Sequence, residues 1–130
     1  MQYIGKLDIN KLGKYKNNII TDEVIITEER IKHIKEHHPG DYENYSMYIQ
    51  DIIKNPDYIL NDNKNIDTIL CMKTIKIVQK NIQVVIRLNT NKKDIGKQNS
   101  ILTLWKVKNK TYEQLIRNKE IIWNCLDKDE

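Results

Sequence analysis

Ile82-Gln83-Val84-Val85-Ile86-Arg87-Leu88-Asn89 decides the fold class. Ile82, Val84, Ile86 and Leu88 share one face and Gln83, Val85, Arg87 and Asn89 the other, the period of a strand with one side in a core. Two further runs have strand character, Thr68 to Ile77 before it and Ser100 to Val107 after it, with Lys80-Asn81 and Thr90 to Gln98 as connections. The three predict an antiparallel meander. In the last run Ser100, Leu102, Leu104 and Lys106 alternate with Ile101, Thr103, Trp105 and Val107, and neither set is plainly the buried one. Trp105 is therefore read two ways, as core or as a platform on which a base stacks.

Working outward, Tyr3 to Ile9 and Val24-Ile25-Ile26 are short extended candidates. Thr27 suits a helix N-cap, Glu28 and Glu29 favour the first turn, and Pro39-Gly40 supplies the stop. Asp41 can cap a second helix, in which Tyr45, Tyr48, Ile49, Ile52 and Ile53 make an apolar stripe. Asn55-Pro56-Asp57 ends it, because the residue before proline is driven out of the helical region. Tyr58-Ile59-Leu60 extends, and Asn61 to Asp67 is a polar, turn-like loop. Thr111 with Gln114 has the capping-box pattern, and Tyr112, Leu115, Ile116, Ile122 and Trp123 follow one helical face. The expected architecture is α+β: two N-terminal helices packed on one face of a small antiparallel meander, its other face free, with a closing C-terminal helix. A single domain over residues 1–130 is expected.

Hydrophobic residues make up 39% and charged residues 31% of 130, with two prolines and four glycines, so disorder and fibrous repeats are excluded. The net charge of +4 fits an anionic partner such as RNA, although no run of five or six basic residues departs from a solvated surface. Arg30, Arg87 and Arg117 are the only arginines in a lysine-rich chain, and the guanidinium fork suits phosphate. Cys71 and Cys125 belong to no metal-spaced pair and read as thiols of a reducing compartment. With neither a secretory apolar core nor a membrane-length segment, the expectation is a cytoplasmic protein with no membrane partner.

All three histidines fall in one short stretch, Arg30-Ile31-Lys32-His33-Ile34-Lys35-Glu36-His37-His38. Histidine takes and gives protons near pH 7, so the cluster reads as acid-base chemistry or metal binding. On a helical wheel Ile31, Ile34 and His38 share one side while Arg30, His33 and His37 lie beside it, at a seam between core and solvent. The plain alternative is exposed imidazoles favouring a helix C-terminus. His33 and His37 are four residues apart, but Ile34 stands where the metalloprotease pattern needs glutamate, so no metal or other cofactor is expected. Arg87 projects from the face opposite the core, either to a phosphate or to a cross-strand carboxylate.

In order along the chain, Val24-Ile25-Ile26-Thr27-Glu28-Glu29-Arg30, His33-Ile34, His38-Pro39-Gly40-Asp41, Asn55-Pro56-Asp57-Tyr58-Ile59 and Asn99-Ser100-Ile101-Leu102-Thr103-Leu104-Trp105 resemble the phage-associated Barnase/EndoU/colicin/RelE-like (BECR-fold) nuclease families. The resemblance runs from about Val24 to Trp123. It implies a compact RNase-like fold and metal-independent cleavage of RNA, tRNA among the targets, by attack of a 2′-hydroxyl. His33 and His38 match the paired histidines, with His37 where a basic residue is expected. Arg87 matches the basic residue of the middle strand. Asn99, Ser100 and Thr103 match polar positions of the next. The implied catalytic set is His33, His37, His38, Arg87, Ser100 and Thr103, with Arg30, Asn99 and Trp105 binding substrate. A toxin of this kind also implies a neutralising immunity or antitoxin partner. The alternative is a noncatalytic RNA-binding or protein-interaction module that keeps the fold.

Overall fold

The computed structural model describes residues 1–94 and 96–127. Its strands are β1 (Gln2–Lys6), β2 (Glu23–Ile26), β3 (Tyr58–Asn61), β4 (Thr68–Ile75), β5 (Lys80–Arg87), β6 (Asn99–Val107) and β7 (Ile121–Asn124). The helices are α1 (Glu28–His37), α2 (Asp41–Tyr45), α3 (Ile49–Lys54) and α4 (Asn109–Asn118). Among the described residues the strands form one mixed sheet in the order β1-β2-β6-β5-β4-β3-β7.

The α+β class holds, and β4 to β6 form an antiparallel ladder as the alternating pattern predicts, with β3 added beside β4. The sheet is larger than a meander, however, and not wholly antiparallel. β2 lies parallel to β6 through Val24 and Ile25, and β1 extends that edge. At the far edge Ile121–Asn124, expected to continue the closing helix, is instead a strand paired with β3. The run Ile121-Ile122-Trp123 is β-branched and aromatic, and the open edge of β3 gives its backbone groups partners.

Thr27 caps α1 as expected, its hydroxyl accepting the Arg30 N–H at 3.2 Å. The second helix is broken: α2 and α3 are joined by a 3₁₀ turn over Ser46–Tyr48, while the stripe of Tyr45, Ile49, Ile52 and Ile53 still reaches the core. Gly40, at φ +86°, rather than Asp41 occupies the N-cap of α2. The capping box at Thr111 and Gln114 does not form, since α4 starts after Lys108 without a side-chain cap.

α1, α2 and α3 cover one face of the sheet, where Ile31, Ile34, Ile52 and Ile53 meet Ile69, Cys71, Val84 and Ile86. The other face is not free. α4 brings Tyr112 and Leu115 down on Leu60, Leu70, Met72 and Val85, so Lys80–Arg87 is buried on both sides from Asn81 to Ile86. β6 carries a bulge: Val85 pairs with Thr103 and Ile86 with Ile101, leaving Leu102 as the extra residue. The bulge shifts the side-chain phase by one, so Ile101 and Leu104 both enter the first core. That shift is why neither alternating set looked buried. No helix among the described residues is long and apolar enough to cross a membrane.

Candidate active site

α1 ends where proline demands it. His38, just before Pro39, takes φ −132° and ψ 68° and so leaves the helical path. Its ring lies against the Trp105 indole, centroids 4.7 Å apart and planes 17° from parallel. The following turn is held by Asp41, a buried carboxylate that accepts the backbone N–H of Lys106 at 3.1 Å. This bond sits on the stretch of β6 beyond its pairing with β2. An imidazole from the early helix is thereby fixed against the sheet.

Burial lowers the pKa of His38 below its ordinary 6.5; Asp41 opposes the shift, and His37 and His33 add to it. The result is an imidazole that is neutral at pH 7 and ready to accept a proton. His33 and His37 lie outside this contact, exposed on α1 with ring centroids 4.1 Å apart. Arg30, three residues before His33, shares their flank of the helix and is partly buried. No group of three histidine, cysteine, aspartate or glutamate side chains among the described residues is placed to hold a metal ion.

The strand register sets out the second face in rows. Arg87 pairs with Thr68 and Ser100, Val85 with Leu70 and Thr103, and Gln83 with Met72 and Trp105. The exposed Arg87 donates through Nε to Thr68 Oγ1 at 3.2 Å, a hydroxyl and not the carboxylate of a cross-strand ion pair. With Ser100, Asn89 and Gln98 it lines a hollow of about 270 Å³. Thr103 and Trp105 line a different cavity of about 500 Å³, between the sheet and α4. Gln83, Val85, Leu70 and Leu115 line it too, with Asp62, Lys64 and Lys119 among its residues. Gln83 Oε1 and Thr103 Oγ1 are buried without a hydrogen-bond partner among the described residues.

Trp105 packs on the second core, one of its two readings, and it also carries His38. The rows of Trp105 and Arg87 are four residues apart on β5, about 13 Å at roughly 3.3 Å per residue. Asn99 corrects an expectation. It is fully buried, its Nδ2 donating to Thr21 O at 2.8 Å and Glu23 O at 2.9 Å, while Oδ1 accepts the Asn89 N–H at 2.8 Å. A side chain so enclosed and so occupied clamps β2 to β6 and cannot touch a substrate. Gln83 is the residue that sequence reasoning passed over. Its signal was an amide sharing a strand face with Arg87, which a free face would have left exposed.

A family model described as phage-Barnase-EndoU-ColicinE5/D-RelE like nuclease2 matches residues 3–124. No curated protein and no solved structure matches the chain.

Proposed function

The chain belongs to the phage-Barnase-EndoU-ColicinE5/D-RelE like nuclease2 family, and from that premise we propose that it is a ribonuclease working without a metal. In this reading the neutral His38 takes the proton of a ribose 2′-hydroxyl as that oxygen attacks the adjoining phosphorus. The bond from phosphorus to the 5′-oxygen breaks, and the His33 and His37 pair supplies the proton that the leaving oxygen takes. The stack of His38 on Trp105, with its lowered pKa, carries the proposal.

Arg87 and Ser100 bind a different phosphate of the same strand. Support comes from the roughly 13 Å between their row and that of Trp105, and from a guanidinium whose described bond is to a hydroxyl. Arg30, on the flank of His33, adds positive charge for the RNA backbone. tRNA is included in the substrate class, and the producing cell needs a neutralising protein against such an activity.

Total RNA incubated with the protein and a chelator tests this. Cleavage leaving 2′,3′-cyclic phosphate ends is expected, and His38→Ala should lower the rate about 10² to 10⁴-fold, the range of one acid-base partner. Undiminished cleavage by a folded His38→Ala variant refutes the role of His38. RNA shifted but intact shows a binding module, and neither effect leaves a protein-interaction domain.

A further inference from the structure

We propose that the cavity between α4 and the sheet is a nucleobase subsite that receives an adenine of the RNA strand, next to the phosphate served by His38. The proposal rests on the ribonuclease reading above and gives that site its base preference. Gln83 is only 4% exposed, yet its Oε1 has no partner among the described residues, and neither has Thr103 Oγ1. Both side chains line the same cavity. Buried polar atoms are almost always hydrogen-bonded, so two orphans on side chains that line one cavity of about 500 Å³ mark what a ligand entering it must complete.

The ligand's shape and chemistry follow from the walls. Leu70, Val85 and Leu115 are apolar and Trp105 adds an indole, surroundings that suit a flat heterocycle. A glutamine amide offers a carbonyl and an amino group side by side. The unmatched carbonyl needs an N–H, which the exocyclic amino group of adenine provides, while the neighbouring ring nitrogen accepts from Nε2, the pairing glutamine makes with this base. The Thr103 hydroxyl can bond a further edge atom. Position links the cavity to the chemistry, because Trp105 lines it and also bears His38. A base held there keeps its own sugar and phosphate beside the imidazole. Lys64 and Lys119 belong to the same cavity and add positive charge for an RNA strand, with the Asp62 carboxylate tied to Asn65 and the Lys64 N–H.

The test is equilibrium titration of adenosine, guanosine, cytidine and uridine 3′-monophosphates onto the wild-type chain and onto Gln83→Leu, Thr103→Val and His38→Ala. The adenosine nucleotide should bind tightest. Gln83→Leu should weaken it roughly tenfold and level the four nucleotides, Thr103→Val should weaken it less, and His38→Ala should keep the preference. Equal binding of all four by wild type, or a preference untouched by both Gln83→Leu and Thr103→Val, overturns the subsite. A different preferred base that Gln83→Leu abolishes overturns the assignment to adenine. Should RNA survive uncut while the nucleotide preference still depends on Gln83, the cleavage reading fails and the subsite stands.

Discussion

Replacing Asn99 with alanine removes one fully buried amide that satisfies three backbone groups, Thr21 C=O, Glu23 C=O and Asn89 N–H. Each buried group left without a partner costs about 1–3 kcal/mol. Thr21, Glu23 and Asn89 are each partly exposed, so water reaches some of these groups, and two of the three left unpaired cost about 2 to 6 kcal/mol. A urea slope near 1.5 kcal/mol per molar for a chain of this size turns that into a midpoint lower by about 1 to 4 M. Urea denaturation followed by circular dichroism gives the midpoint directly. Asn99→Asp should fare about as badly: its carboxylate can still accept from Asn89 but sets oxygen against the Thr21 and Glu23 carbonyls. Cleavage by both variants should persist wherever they remain folded, because the side chain clamps strands and does not meet substrate. A midpoint within 0.5 M of wild type, roughly 0.75 kcal/mol on the same slope, together with lost cleavage, would overturn this account and restore Asn99 to the substrate.

Three further outcomes are expected. His38 is shifted down by burial, so the unfolded chain binds the extra proton first as pH falls below about 6.5, and stability contributed by this residue declines with acidification. Denaturation at several pH values should show the decline in wild type and a weaker one in His38→Ala, and the acid limb of the cleavage profile should lie below pH 6.5. Arg87→Ala should weaken RNA binding about equally across sequences and reduce the slope of log affinity against log salt by about 1, measured by titration at several salt concentrations. A sequence-selective loss would contradict its assignment to the backbone. Thr27→Ala removes the hydroxyl that accepts the Arg30 N–H and should cost about 1 kcal/mol, a few degrees in melting temperature.

What residue patterns could determine here was local. Thr27, Pro39 and Pro56 act through their immediate neighbours, and the alternation in Lys80–Arg87 reports which side chains share a face, so α1, the end of α3 and the ladder β4 to β6 were legible. The gathering of three histidines at the end of one helix was legible for the same reason. What covers each face is a long-range fact that no local period encodes. The pairing of Ile121–Asn124 with β3, the parallel insertion of β2 beside β6 and the packing of α4 over Leu70 and Val85 were decided only by which backbone edges and apolar surfaces remained after the rest had folded. A one-residue bulge at Leu102 hid the face assignment of β6, because it reverses the phase that alternation relies on. Tertiary structure alone therefore chose among the polar candidates. It brought His38 onto Trp105, set Arg87 and Ser100 in a separate hollow, left His33 and His37 in solvent, and enclosed Asn99, since burial and partners depend on the whole chain.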